Sequence, residues 1–181
     1  MTSTVIFSEE EIQARVRIIA AQINNDFRGE QIVLVGLLNG CVLFLADLAR
    51  EIERGRSAYE GVRSCTIEFM RVSSYDEAQE SRGRVNIEMD VQKSPKGKHV
   101  IIVDEVAETL LTTRFVVQHL RMKSPASVRV CVLITKPDRH KCAEVKLDYV
   151  GFSQRHLPFL KGYGMDDGGT QRGLPYIAAC E

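Results

Sequence analysis

The sequence lacks tryptophan, an excess of charge of either sign and any long apolar run. Its 24 lysine and arginine residues equal its 24 aspartate and glutamate residues in number, so the formal net charge is zero. A neutral chain has no global field that would draw it to nucleic acid or to an anionic membrane. No apolar run approaches the roughly 20 residues that a membrane-spanning helix needs. We therefore expect no nucleic-acid partner and no membrane partner, and any anion binding should be local.

A recognisable cysteine pattern is absent as well. The five cysteines are odd in number, widely spaced and never arranged as C-x-x-C. This pattern indicates neither a disulfide framework nor a zinc site. The N-terminal residues also show no basic segment followed by an apolar core, which a secretory signal peptide would need. The expected location is the cytoplasm.

Apolar periodicity predicts strands that alternate with helices. A near-continuous apolar strand at Gln31–Leu38 stands between helical patterns at 8–27 and 42–52. Further strands are predicted at 65–73, 84–90, 99–103, 128–135, 145–152, 159–164 and 174–177, and a further helix at 113–123. The alternation indicates one α/β domain with a mostly parallel sheet flanked by helices. Such sheets bind ligands outside the carboxyl ends of their strands.

The segment 100–112 is the strongest functional signal. Four apolar residues lead into Asp104 and Glu105, and a turn containing Thr109 and Thr112 then leads into a helix. The acids can accept hydrogen bonds from vicinal hydroxyls, while the threonines and the helix start can donate to a phosphate. The plainer alternative is a buried strand that ends in a solvated, helix-capping turn.

Other residues that could carry chemistry follow predicted strands. They include the 37–41 turn with Gly40, the root of a polar loop at Ser74 and Tyr75, and Lys136. Near the C-terminus, Phe159 offers a ring for stacking, and Asp166 and Arg172 suit Mg²⁺ and phosphate respectively. Each of these has a structural alternative when it is taken alone, such as an ordinary turn or an exposed lysine.

Taken in order, five motifs resemble the 6-oxopurine phosphoribosyltransferases, the hypoxanthine(-guanine) enzymes of the type I family. The motifs are Leu-Asn-Gly, Ser-Ser-Tyr, the acidic 100–112 signature, Thr-Lys-Pro, and Phe-x-x-Gly-Tyr-Gly-x-Asp with Arg172 and Leu-Pro-Tyr-Ile. The resemblance implies one type I phosphoribosyltransferase domain over 1–181, with a small hood from the N-terminal segment and 150–181. It also implies transfer of a phosphoribosyl group from phosphoribosyl pyrophosphate (PRPP) to hypoxanthine or guanine, with Mg²⁺, in a homodimer or homotetramer.

The resemblance further implies a role for each motif. The residues implied to hold the ribose and its 5′-phosphate are Asp104, Glu105, Glu108, Thr109, Leu110, Leu111 and Thr112. Pyrophosphate would meet Leu38, Asn39, Gly40 and Arg172. The purine would meet Lys136, Phe159 and Leu160. The implied catalytic residues are Glu108, Ser74 and Tyr75, and the implied metal ligands are Asp166, Asp104 and Glu105.

Among the departures from the family pattern, three lie at implied site residues. Glu108 stands where the family usually has aspartate, and Asn39 replaces a lysine or arginine, which removes one charge near pyrophosphate. Leu110 stands where glycine is usual, so we expect a negative φ there if the turn is to bind phosphate. These departures leave open a second hypothesis, in which the protein binds nucleotide or PRPP in a regulatory role with little turnover.

Overall fold

The computed structural model describes residues 4–74 and 85–180. The helices are α1 (Glu9–Asp26), α2 (Val42–Tyr59) and α3 (Leu111–Arg121). The strands are β1 (Val5–Phe7), β2 (Gln31–Leu38), β3 (Ser64–Ser74), β4 (Val85–Met89), β5 (His99–Ala107), β6 (Ser127–Thr135), β7 (Tyr149–Ser153), β8 (Leu160–Lys161) and β9 (Ile177–Ala179).

Six of these strands form the main sheet, in the order β4-β3-β2-β5-β6-β7. The neighbouring strands from β3 to β7 run parallel, and β4 alone pairs antiparallel at the edge. The predicted α/β class with a mostly parallel sheet is therefore confirmed. A second sheet, in the order β1-β9-β8, is antiparallel.

Alternating residues of β2 enter two separate apolar cores. Ile32 and Leu34 pack with buried residues of α1 and α2, whereas Val33 and Val35 pack with buried residues of α3. Successive strand residues point to opposite faces of a sheet, so α1 and α2 cover one face and α3 covers the other. This explains why β2 is apolar along nearly its whole length.

The first helix begins where its capping residue predicts. The Ser8 hydroxyl accepts a hydrogen bond from the Glu11 amide, and the Glu11 carboxylate accepts one from the Ser8 amide. Together these two bonds satisfy N–H groups that a helix start leaves without partners. No helix among residues 4–74 and 85–180 is both long enough and apolar enough to cross a membrane.

Several predicted boundaries are wrong. Strand β5 continues past the acids to Ala107, because β6 is long enough to pair with it up to Thr135. Helix α2 continues past residue 52 to Tyr59, and α3 begins at Leu111, two residues earlier than predicted. Near the C-terminus, turns occupy much of the predicted 159–164 strand, and only Leu160–Lys161 pairs with β9. The strand β1 was not predicted.

Candidate active site

A crevice of about 240 Å³ lies at the carboxyl edge of the main sheet. The residues that line it are Glu105, Val106, Glu108, Lys136, Phe159, Leu160, Met165 and Asp166. Six of these eight were predicted from sequence as functional residues. Asp104 does not line this cavity. A larger cavity of about 400 Å³ lies between α1 and α2, but no predicted functional residue lines it within the described chain.

Lys136 is the most deeply buried charged residue of the crevice, with 1% of its surface exposed. It directly follows β6, and its backbone N–H donates to the Ala107 carbonyl at 3.0 Å. Its ammonium donates to the Glu108 carboxylate and, at 2.9 Å, to the Pro158 carbonyl. An ammonium has three donors, so one N–H is left to point at a ligand.

Glu108 makes a second ion pair that was not predicted from the sequence. Its Oε2 lies 3.3 Å from Nη1 of Arg139, which sits in a short 3₁₀ turn at Pro137–Arg139. The carboxylate therefore bridges two cations, of which Lys136 is buried and Arg139 is exposed. The available signal was an arginine three residues beyond Lys136, in a turn that proline initiates.

Asp104 and Glu105 form a buried acidic pair. Asp104 Oδ1 accepts a hydrogen bond from the Glu105 amide at 3.0 Å. Burial raises the pKa of Asp104 well above its usual range, and the adjacent Glu105 carboxylate raises it further. Burial also raises the pKa of Glu105, although the Asp104 hydrogen bond and the Arg172 guanidinium act in the opposite direction. Glu105 Oε2 is buried and has no hydrogen-bond partner among the described residues.

Two glycines allow three backbone segments to meet beside this pair. A Cβ atom on Gly40 would lie 1.8 Å from Glu105 Oε1, and one on Gly164 would lie 1.8 Å from the Gly40 carbonyl oxygen. Neither position can therefore carry a side chain without displacing its neighbour. The contacts bring the turn after β2, the acids of β5 and the 162–165 segment into one place.

The turn after β2 carries a neutral side chain that engages a cation. The peptide bond between Leu38 and Asn39 is cis. Asn39 Oδ1 accepts a hydrogen bond from Nη2 of Arg71 at 2.5 Å. Arg71 lies in β3, in register with Leu38, and was not predicted as a site residue.

The 108–112 turn corrects the expectation for Leu110. Its φ is +64° and its ψ is 6°, so the leucine adopts the left-handed conformation that glycine favours. Its side chain is only 4% exposed and belongs to the apolar core on the α3 side. That burial can offset the left-handed conformation, which costs about 1–2 kcal/mol for a residue with a Cβ. The leucine thus holds the backbone conformation that the usual glycine would favour, and a positive φ here is compatible with a phosphate-binding turn. The turn leads directly into Leu111 and Thr112, the first residues of α3.

The C-terminal segment holds Asp166 firmly. Its Oδ1 forms an ion pair with Arg172 Nη2, and its Oδ2 accepts a hydrogen bond from the Gly169 amide, both at 2.7 Å. Arg172 Nη1 in turn donates to the Gly164 carbonyl at 2.7 Å. Phe159 is 63% exposed, which leaves its ring free for contact with a ligand.

Two predicted catalytic residues lie outside what the structure describes. Strand β3 ends at Ser74, but the Ser74 side chain and all of Tyr75 fall outside the described residues. Their predicted role stays a prediction.

The described residues contain no group of three or more histidine, cysteine or acidic side chains arranged to hold a metal. Mg²⁺ does not need such a group, because it commonly binds through one or two carboxylates, waters and substrate phosphates. Glu105 and Asp166, which both line the crevice, offer carboxylate oxygens of this kind. The partnerless buried Glu105 Oε2 also fits a cation nearby.

An α/β sheet whose carboxyl edge carries an acidic pair, a helix-opening turn and a buried lysine is built to take an anionic, nucleotide-like ligand. Comparisons with known proteins identify the family. Residues 4–167 match the family model for the phosphoribosyl transferase domain, and the chain belongs to the phosphoribosyltransferase family. The resemblance predicted from the motifs is confirmed.

The relatives that it resembles are named hypoxanthine or hypoxanthine-guanine phosphoribosyltransferases. The hypoxanthine-guanine phosphoribosyltransferase of Aquifex aeolicus is 36% identical over 178 residues, covering 98% of this chain and 94% of that protein. A crystal structure of a hypoxanthine-guanine phosphoribosyltransferase from Bacillus anthracis, with HEPES in its active site, is 35% identical with a TM-score of 0.89 and covers all of both chains. The hypoxanthine phosphoribosyl transferase of Trypanosoma cruzi is 30% identical with a TM-score of 0.88, covering 100% of this chain and 93% of that one.

Proposed function

We propose that this protein transfers the 5-phosphoribosyl group of PRPP to N9 of hypoxanthine or guanine, which yields IMP or GMP and pyrophosphate in purine salvage. The observation that carries the proposal is the buried Lys136 ammonium, paired with Glu108, in a crevice also lined by Phe159 and Asp166. The alternative of a regulatory binder has no observation in its favour. We further propose that the protein acts in the cytoplasm as a homodimer or homotetramer.

The donors and acceptors at one end of the crevice match those of a purine base. The unused N–H of Lys136 donates to the 6-oxo group, and the exposed Phe159 ring stacks on the base. Glu108 accepts the proton of N7, and the Leu160 carbonyl meets the exocyclic amine of guanine. Since Lys136 and Arg139 both contact Glu108, its carboxylate is held in place before the base arrives.

The sugar phosphate occupies the sheet edge. Asp104 and Glu105 accept hydrogen bonds from the ribose hydroxyls, while the 108–112 turn and the first amides of α3 donate to the 5′-phosphate. The turn 38–40 and Arg172 contact pyrophosphate. The small sheet of β1, β8 and β9 serves as a hood over the crevice, and Ser74 and Tyr75 help to close it.

Asp166, together with Asp104 and Glu105, would hold Mg²⁺, which neutralises charge on pyrophosphate when it is bound. In the transfer, the bond between C1 and the pyrophosphate oxygen breaks as N9 forms a bond to C1. Because positive charge develops on the sugar, the buried carboxylates stabilise the transition state. Glu108 takes the proton that the base gives up, and pyrophosphate leaves with the electron pair of the broken bond.

One assay tests this function. We expect hypoxanthine and guanine to be converted to their nucleotides only when both PRPP and Mg²⁺ are present, with xanthine as a third candidate base. PRPP or nucleotide binding without conversion of any of the three would favour the regulatory alternative.

A further inference from the structure

The turn that meets pyrophosphate in the proposed function carries no charge of its own. Leu38, Asn39 and Gly40 are all neutral. Pyrophosphate is a strong polyanion, and sites for such groups are generally rich in arginine or lysine donors. A cation would therefore have to come from another element.

Arg71 is placed to supply that cation. Strands β2 and β3 are parallel and pair Leu38, the last residue of β2, with Arg71, so the arginine lies beside the turn that follows β2. Its Nη2 donates to Asn39 Oδ1 at 2.5 Å, which fixes the guanidinium at the turn. Gly40, the next residue, lies against Glu105 and Gly164, so the turn adjoins the acidic pair of the site.

The hydrogen bond to Asn39 does not neutralise the charge of Arg71. Arg50, Arg54 and Arg56 of α2 all pair with acids, and Arg172 pairs with Asp166. Within the described residues, by contrast, no carboxylate pairs with Arg71. An amide oxygen orients a guanidinium without neutralising it. Because a guanidinium has five N–H donors and Asn39 uses one, a bidentate contact to a phosphate is still available.

We infer that Arg71 binds pyrophosphate and supplies the charge that Asn39 lacks, while Asn39 positions the guanidinium. The inference rests on the proposed function and assigns a further binding residue to it. In this inference, Asn39 and Arg71 together replace the single cationic side chain that the family usually has at position 39.

Calorimetric titration with inorganic pyrophosphate and with IMP, both with Mg²⁺, tests the inference without turnover. Arg71→Gln should weaken pyrophosphate binding by about ten- to a hundredfold, as expected for loss of a charge-assisted hydrogen-bonded contact. IMP binding should be unchanged, because IMP has no pyrophosphate group, and this arm also shows that the variant is folded. Arg63→Gln is the matched control, since it removes the same charge just before the opposite end of β3, roughly 25 Å away.

Asn39→Lys provides the complementary measurement. If Arg71 already supplies the charge, a lysine at position 39 should not tighten pyrophosphate binding in the parent but should restore it in Arg71→Gln. Pyrophosphate binding by Arg71→Gln equal to that by Arg63→Gln would overturn the inference, as would a gain from Asn39→Lys in the parent alone. If the parent binds IMP and turns over while Arg71→Gln behaves normally, only this inference fails. A parent that neither turns over nor binds pyrophosphate would overturn the proposed function with it.

Discussion

Among single residues, Glu108 is under the most constraint. Glutamate is one methylene longer than the aspartate that is usual in the family, and misplacement of a catalytic group by about 1 Å can cost a hundredfold in rate. In this chain the longer side chain reaches Lys136 and Arg139 together. The two cations hold the longer side chain in one position, at the place where the proposed function needs a base.

Replacing Glu108 tests that role. Glu108→Gln should lower kcat by about a hundredfold or more, the range of general acid–base catalysis, and leave the PRPP affinity nearly intact. Glu108→Asp should turn over at least as fast as the parent, because it keeps the basic group that the family uses. Steady-state kinetics with both substrates varied would check both results. Equal turnover by the parent and both variants would show that Glu108 is not the base.

Leu110 combines an unfavourable backbone conformation with a buried side chain. Its left-handed φ favours glycine, while its burial in the core favours leucine. Leu110→Ala should lose the burial and keep the backbone cost, at about 2–5 kcal/mol of unfolding free energy. Leu110→Gly loses slightly more apolar surface but relieves the backbone, so it should be the more stable of the two by about 1 kcal/mol.

Urea denaturation of matched variants in α3 gives the control for Leu110. Leu120 is fully buried in the same core but lies inside the helix. At that position glycine should be less stable than alanine by about 1 kcal/mol, the reverse of the order at Leu110. The same order at both positions would mean that the turn does not hold its left-handed conformation in solution.

Among secondary-structure elements, the main sheet was predictable and several element ends were not. Strand β2 was found to the residue, because its apolar run is bounded by polar and turn-forming residues. The last turns of α2 have little apolar periodicity and are supported instead by ion pairs between Arg54 and Glu51 and between Arg56 and Glu53. Apolar periodicity carries no information about ion pairs, and the predicted helix therefore ended too early.

The site was likewise predictable only in part. Glu105, Lys136 and Asp166 were predicted together, because the carboxyl ends of parallel strands share one edge and the motif order indicated the rest. Arg71 and Arg139 were missed, because their contacts depend on strand register and on a turn. Arg71 leaves no local signal in the sequence, and the only signal for Arg139 is its place in a proline-initiated turn after Lys136. The sign of φ at Leu110 depends on tertiary burial, which a propensity argument does not contain.

A contact between elements gives a pH-dependent prediction. Asp90, just after β4, accepts hydrogen bonds from His119 and Lys123 at the end of α3, at 2.9 and 2.7 Å. Burial acts to raise the pKa of Asp90, but the Lys123 and His119 hydrogen bonds outweigh it and hold that pKa below its usual value. A lowered acid pKa means that the contact stabilises the fold above the unfolded pKa of about 3.9, and is lost as the pH falls through the folded value.

Asp90→Asn should therefore lower the unfolding free energy by about 1 kcal/mol or less near pH 7, as for a partly exposed ion pair. The difference from the parent should shrink toward zero as the pH falls below 4. Urea titrations at several pH values would measure it. Glu88→Gln removes a similar charge from an exposed position of β4 and should show no such trend. A constant difference across the pH range would exclude the ion pair as its cause.

For the whole molecule, zero net charge means that affinity for a polyanion has to be built locally. The cations at or beside the crevice are Arg71, Lys136, Arg139 and Arg172. Three of them, Lys136, Arg139 and Arg172, are already paired with acids of the crevice. The acids Asp104 and Glu105 would by themselves repel PRPP. In the proposed function a bound divalent cation resolves this conflict, since carboxylates and pyrophosphate oxygens can share it.

Thermal unfolding with ligands tests that arrangement in the intact protein. PRPP with Mg²⁺ at about a hundred times its dissociation constant should stabilise the fold by about 2.7 kcal/mol. For a domain of this size that corresponds to a rise in Tm of roughly 5–10 °C. PRPP with EDTA should raise Tm much less, because the acidic pair would then face the pyrophosphate without a cation between them. Ribose 5-phosphate is the control, since it has no pyrophosphate and its smaller effect should not depend on EDTA. An equal rise for PRPP with and without EDTA would show that PRPP binding does not depend on the metal, and that Asp104, Glu105 and Asp166 are not joined to it through Mg²⁺.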